Sequence, residues 1–273
     1  VVTKDTYLDD YEILNKIKDN GIFVLNTVKN EKEIIDFLPD DVKYIIKNKN
    51  IKFYIINAYE LASKAGIKNK ISTIMEVVIL YLSNLLNDDI INQLKEDIKN
   101  RFGLKSEEIV KANIFTIDNA ISYLKEVKLD GNYEYVERPK YIDVYLAMRH
   151  RKGDELKVSS FENMPDGTFK AGTSKEEKRC ISDFVPHWIS SNCIKCNMCS
   201  FVCPHGVIRP YQLSVEEYEK APDYIKERCV NNYIIGISVK DCTGCGLCIK
   251  SCMSKEKSLE FKELIDVEEE QKV

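Results

Sequence analysis

The 273 residues carry a formal net charge of −4 and are 44% hydrophobic and 31% charged, enough apolar material for one large domain or two to three small ones. This balance supplies no basic field for nucleic acid or an anionic membrane. Ten cysteines behind a polar N-terminus argue against a disulfide scaffold and for a reducing, cytoplasmic setting.

The opening Val1, with no initiator Met, is what an excised piece of a longer polypeptide would show. Tyr11 to Lys18 reads as helical, with Gly21 as its stop. Gly21 to Asn26 and Ile51 to Ile56 are short β-branched and aromatic runs, each followed by helical periodicity. Strands alternating with helices predict an α/β layer with a parallel sheet. The apolar run from Ile71 to Leu86, broken by Glu76 and Asn84, is short for a bilayer span and predicts a buried helix. Ser106 caps the next helix, with Glu107 and Glu108 at its positive end. Val110, Ile114, Ile117, Ile121 and Leu124 form its expected buried stripe. This first region, 1–128, contains no phosphate-binding glycine loop.

From 129 to 180 periodicity fades, and Asp166-Gly167 marks a tight turn within "MPDGTF". Residues 181–273 form the cysteine domain, expected to be a small α+β unit. Ser214 and Glu217 predict a capping box in the 38 residues between the two motifs, and "DVEEEQKV" at 266–273 predicts a solvated tail.

Cys193, Cys196, Cys199 and Cys203 follow one another at steps of three, three and four, and Cys242, Cys245, Cys248 and Cys252 repeat those steps. A loop with a thiolate at every third residue can wrap three corners of an iron–sulfur cube. In two-cluster ferredoxins the fourth cysteine serves the other cube. The expected ligand sets are therefore Cys193, Cys196, Cys199 and Cys252 for one 4Fe–4S cluster, and Cys242, Cys245, Cys248 and Cys203 for the second. Zinc is the alternative, but its sites usually draw two cysteines from each of two separated knuckles. Cys180 and Cys229 lack partners at ligand spacing and read as ordinary thiols. His150, His187 and His205 are scattered, and Trp188 is placed to shield the first loop from water. No residue stands out as a nucleophile or a poised acid–base pair, so no catalytic residue is assigned. Two cubes held close together form an electron wire.

Several stretches together resemble the middle of the pyruvate:ferredoxin (flavodoxin) oxidoreductase family. "GTSKEEKRCISDFVPHW" looks like its linker module, named for Glu-Lys-Arg, here Glu177-Lys178-Arg179, and Pro165 to Phe169 belongs with it. "CIKCNMCSFVCPHGVIRPY" and "DCTGCGLCIKSCMSKEKSLEF" are similar to its two cluster motifs, with Met253 where proline is usual. "IKFYIINAYELASKAGIKNKISTIMEVV" and "GLKSEEIVKANIFTIDNAI" look like the later part of its gamma-type domain, with Ser72 and Glu76 in place of the family's Asn and Gln.

The resemblance implies a partial gamma-type α/β domain at 1–128, the Glu-Lys-Arg module at 129–180 and the dicluster ferredoxin-like domain at 181–273. It implies an electron-transfer segment of a thiamine-dependent enzyme that converts pyruvate and coenzyme A to acetyl-CoA and carbon dioxide. Two 4Fe–4S clusters would pass electrons to ferredoxin or flavodoxin. Thiamine diphosphate, Mg and a third 4Fe–4S cluster would lie in other parts of the full enzyme, which the resemblance implies to be a homodimer. The segment alone, lacking a Gly-Asp-Gly thiamine signature, is not expected to oxidise pyruvate. The competing reading is a stand-alone dicluster carrier, or a separate gamma–delta-like subunit.

Overall fold

The computed structural model describes residues 1–67, 70–104, 106–138, 143–164, 166–168, 171–175, 178–264 and 266–267. Pro165, Phe169 and Glu177 of the linker module and residues 268–273 of the tail lie outside the described residues. The chain divides into two compact units, Val1–Asn163 and Met164–Val273.

The first unit is built on a three-stranded sheet in the order β1 (Ile22–Asn26), β2 (Lys52–Ile56), β3 (Leu124–Val127). β1 and β2 are parallel, whereas β3 runs antiparallel to β2, so the sheet is mixed. Two helices lie between β1 and its parallel neighbour β2, and four lie between β2 and the antiparallel β3.

Period-two alternation gives each strand two apolar faces. Phe23, Leu25, Phe53 and Ile55 point into one core with α1 (Tyr7–Asp10), α2 (Glu31–Phe37) and α3 (Asp40–Asn48), where the Phe23 and Phe53 rings stack 5.1 Å apart. Val24 and Ile56 serve the other core, with α4 (Ala58–Lys64), α5 (Ser72–Leu82), α6 (Asp88–Phe102) and α7 (Glu107–Asn119). Asn26, buried at the end of β1, joins its two neighbours. Its amide donates to Thr3 O and accepts from Ala58 N–H.

Three sequence expectations change here. Tyr11–Lys18 is not helical; the helical turn comes earlier, at Tyr7–Asp10, and Tyr11 is already extended. Ile13, Leu14 and Ile17 still reach the core, so their spacing reported burial rather than helix. The Ser106-capped helix ends at Asn119, and Leu124 opens β3. Val110, Ile117, Ile121 and Leu124 of the expected stripe pack against the core, joined by the buried Asn113 and Thr116, whose side chains bond to backbone carbonyls of their own helix. The 71–86 run is buried on one side only, since Ile74, Met75, Val77 and Val78 are covered while Ile79 and Tyr81 are exposed. Among the described residues no helix is long and apolar enough to cross a membrane.

Between β3 and Asn163 the described residues form α8 (Val144–Arg149) and two short 3₁₀ turns, and charged contacts hold this stretch to the N-terminal segment. The Arg138 guanidinium forks onto Asp41 at 2.8 and 3.2 Å and donates to the Leu8 and Asp9 carbonyls. Lys152 pairs with Glu12 at 2.8 Å. Both partners of the Arg138–Asp41 pair are largely buried, so removing one leaves a buried charge uncompensated. Arg138→Ala is expected to destabilise this unit by about 3–5 kcal/mol. Urea denaturation followed by circular dichroism measures it, and an unchanged midpoint would remove the pair from the account.

The second unit is a quasi-repeat. β4 (Phe184–Trp188), a cysteine loop, α9 (Met198–Phe201) and β5 (Ile208–Gln212) are followed by β6 (Tyr233–Ile237), a cysteine loop, a helical turn at Leu247–Lys250 and a last strand at Leu259–Glu263. Between β5 and β6 lie α10 (Val215–Lys220), which carries the Ser214–Glu217 capping box, and α11 (Asp223–Lys226); Leu247–Lys250 is α12 and Leu259–Glu263 is β7. The repeats exchange strands, since β4 pairs with β7 and β5 with β6, both antiparallel. Val185, Trp188, Ile208, Ile234, Ile235 and Leu259 fill the core between them. Val267 is buried in the same core, so the tail reading fails at that residue.

Candidate metal centre

Each cysteine loop begins in a 3₁₀ turn, Ser190–Asn192 or Val239–Asp241, and runs into a one-turn helix. To pass three cysteines in so few residues the backbone enters the left-handed region twice. In the first loop Lys195 and Asn197 sit at φ +58°, and in the second Gly244 and Gly246 sit at +65° and +75°. Only one of these positions excludes a side chain for lack of space. A Cβ at Gly244 would collide with Ser182 Oγ and stand 3.2 Å from Phe184 O. The non-glycine turns of the first loop are held from outside. The Tyr233 hydroxyl donates to Asn197 Oδ1 at 2.6 Å, and the Lys195 ammonium lies 5.4 Å from the Tyr233 ring centre.

The same turns aim backbone N–H groups at sulfur. Lys195 N–H donates to Cys193 Sγ and Gly244 N–H to Cys242 Sγ, each at 3.4 Å. Ser258 N–H donates to Cys252 Sγ at 3.4 Å.

The eight motif cysteines line two hollows. Cys193, Cys196, Cys199 and Cys252 line the first, about 290 Å³, with Trp188 and Ile235. Cys203, Cys242, Cys245 and Cys248 line the second, about 360 Å³, with Pro186 and Phe261. Both volumes are partly open to solvent. In each hollow the middle cysteine of the loop, Cys196 or Cys245, is exposed, while Cys199, Cys242 and Cys248 are buried. The fourth cysteine follows a one-turn helix: Cys199 lies within α9, which ends at Phe201, and Cys203 comes after that end and lines the other hollow. The two short helices α9 and α12 pack against each other.

Burial pushes the thiols of Cys248 up to about 12 and Cys199 up to about 11, and raises that of Cys242. Burial also pushes Cys252 up, but hydrogen bonds from Ser258 and Ser254 outweigh it and bring that thiol down to about 7. Loading any metal here therefore displaces protons from thiols that hold them firmly. Four thiolates around one zinc stand roughly 3.8 Å from each other, given a Zn–S bond of about 2.3 Å. Among the described residues no group of three or more His, Cys, Asp or Glu is arranged to hold a metal ion in that way. A hollow with cysteines on its rim and inward N–H groups fits a polynuclear cluster, which spreads its ligands over several irons.

The other singled-out residues fall elsewhere. Cys180 and Cys229, both half-buried, line neither hollow. His150 bonds through Nδ1 to Asp10 O in the first unit, whereas His205 is exposed and lines the second hollow beside Cys203. Met253 is exposed at the position matching Pro204. Trp188 covers the first hollow as its place before the loop suggested. Ser254 and Ser258 were not singled out in the sequence, where Ser258 falls six residues after Cys252 but its counterpart Val207 only four after Cys203.

Two cysteine-lined hollows in a strand-exchanged repeat define the class, an iron–sulfur dicluster module, here joined to an α/β unit. The family described as "4Fe-4S dicluster domain" matches residues 192–256, "Pyruvate ferredoxin/flavodoxin oxidoreductase" matches 1–123, and a "Domain of unknown function" matches 133–182. Taken together, the chain matches these three families in succession and is similar to one stretch of the pyruvate:ferredoxin/flavodoxin oxidoreductases. It is 36% identical to the pyruvate:ferredoxin oxidoreductase of Moorella thermoacetica and 34% identical to the pyruvate-flavodoxin oxidoreductase of Trichormus variabilis, over 96% of this chain and 24% of each relative. With the pyruvate-flavodoxin oxidoreductase of Enterobacter agglomerans the identity is 32%, over 98% of this chain and 24% of that protein. The chain thus spans about a quarter of the length of the relatives it matches.

Proposed function

We propose that this chain is the electron-exit segment of a pyruvate-oxidising enzyme and binds two 4Fe–4S clusters. Cys193, Cys196, Cys199 and Cys252 would hold one, and Cys203, Cys242, Cys245 and Cys248 the other. The observation that carries the reading is the sorting of the eight cysteines into two hollows, each taking three from one loop and one from the other. Bound there, the clusters supply one-electron transfer with little change of geometry. The chain's own part is to ligate through thiolates, to direct loop N–H groups at sulfur and to keep water out with Trp188 and Phe261.

The proposed domain division is 1–128, 129–180 and 181–273, with the first as part of a gamma-type domain. The substrate is proposed to be pyruvate with coenzyme A, and the acceptor ferredoxin or flavodoxin, as the relatives' names support. Thiamine diphosphate, Mg and a third 4Fe–4S cluster would be held by other parts of a dimeric, cytoplasmic enzyme. The chain itself would pass electrons without touching the 2-oxoacid.

The test is anaerobic purification, iron and sulfide analysis, and electron paramagnetic resonance after reduction. Close to eight irons and eight sulfides per chain, with two magnetically coupled centres, are expected. In the native enzyme, pyruvate and coenzyme A should reduce the same two centres. A colourless preparation holding zinc would overturn the cluster assignment. Clusters that ignore pyruvate would overturn the exit role alone.

A further inference from the structure

The two hollows are alike in backbone and unlike in lining. Each receives one loop N–H on the sulfur of its first cysteine, at the same 3.4 Å. Beyond that, donors gather around the first hollow. Trp188 is 3% exposed and lines it, and its buried Nε1–H has no hydrogen-bond partner among the described residues. An indole nitrogen can only donate, so a buried one without an acceptor calls for a group that accepts. Ser258, also buried, donates its N–H to Cys252 Sγ at 3.4 Å; its hydroxyl stands 3.4 Å from the same sulfur and from Asn192 O, and 2.7 Å from Ser254 Oγ. The Lys257 ammonium adds positive charge at Cys252 O, 2.6 Å away.

The two matching places around the second hollow are apolar, and the polar side chains that line it are His205 and Thr243. Ile237 stands five residues before Cys242, as Trp188 stands five before Cys193. Val207 occupies the position before β5 that Ser258 occupies before β7, and it lines the second hollow. On that side Asp241, beside Cys242 in sequence, pairs with Lys178 at 2.5 Å.

Hydrogen bonds to cluster or ligand sulfur stabilise the more negative, reduced state and raise the reduction potential, as does positive charge nearby. We infer that the two centres are deliberately unequal, with the one in the Cys193, Cys196, Cys199 and Cys252 hollow at the higher potential because Trp188 Nε1–H and Ser258 donate to sulfur there. This rests on the cluster reading above and adds a direction to it. An electron shared between the two hollows resides mainly in the first, and no bond or proton changes hands in the transfer.

The experiment is a mediator-controlled redox titration of the anaerobically purified holoprotein, followed by electron paramagnetic resonance, for wild type and Trp188→Phe. Phenylalanine keeps an aromatic cover and removes the N–H. The centre reduced first in the wild type should become harder to reduce by about tenfold in its equilibrium constant, about 59 mV for one electron. The other centre should stay where it was. Ser258→Ala should move the same centre in the same direction and serves as the test if W188F loads poorly. Two loaded centres whose potentials do not move in either variant, or that move together, would overturn the inference while leaving the cluster reading intact. A protein without clusters would instead overturn the reading on which it rests.

Discussion

Cys196→Ala and Cys252→Ala, changes 56 positions apart, are expected to abolish the same one of the two 4Fe–4S signals, while Cys203→Ala and Cys245→Ala abolish the other. Iron should fall by up to about half in each variant, because a cube that loses a corner ligand sheds some or all of its metal while its neighbour is held by four separate thiolates. The reason for the crossed result is local. Cys199 lies within α9, which ends at Phe201, and Cys203 follows that end and lines the other hollow with Cys242, Cys245 and Cys248. Cys252 is carried across in the same way by α12 and lines the hollow of Cys193, Cys196 and Cys199. A sequential arrangement, each loop serving one cluster with its own four cysteines, makes the opposite forecast. In that case Cys252→Ala would share its phenotype with Cys245→Ala. Electron paramagnetic resonance of the four variants decides between them, and circular dichroism should show the helices of Val1–Asn163 retained in all four.

The second large effect concerns what the metal does for folding. Met164–Val273 contains only two-stranded sheets and helices of four to six residues among its described elements. Such pieces are marginal alone, and small domains commonly depend on a metal. Three of its core side chains are the cysteines Cys199, Cys242 and Cys248. Stripping iron with a chelator under reducing conditions therefore leaves the two hollows without the group that fills them and ties one loop to the other. Amide protection in β4 to β7 should fall by about a hundredfold or more, on the order of 3 kcal/mol, while β1 and β2 keep theirs. Hydrogen exchange read by mass spectrometry on holo and stripped protein makes the comparison. Unchanged protection in β6, whose five residues are all buried, would show that the apolar core suffices without metal.

The Arg138 pair and the Trp188 donor share a physical theme with these predictions. In each, a polar group sits where water has been excluded, so removing its partner has a larger effect than the same contact at the surface would suggest.

The cysteine spacing alone carried the most information in this chain. Steps of three, three and four, repeated, are a local property of the backbone, and so the three-from-one-loop arrangement was legible from residues 193–203 and 242–252. Short β-branched runs likewise located β1 and β2, and the Ser214–Glu217 capping box located α10, because each depends on near neighbours. Readings that depended on distant partners fared differently. Ile13, Leu14 and Ile17 looked helical, yet their burial is met by turns folded over the core. Leu124 looked like the end of a helical stripe but begins a strand, since its backbone pairs with Ile56 of β2. The antiparallel direction of β3 was a matter of its pairing with β2, four helices earlier in the chain. The difference between the two hollows was equally invisible. That Trp188 N–H goes unanswered and that Trp188 and Ser258 line one hollow depends on exchanged strands, β4 beside β7, bringing together residues 70 positions apart. The sequence determined which groups could bind metal, because ligand type and step length are written in consecutive residues. Only the tertiary structure decided what surrounds each set of sulfurs, because long-range strand pairing places those neighbours.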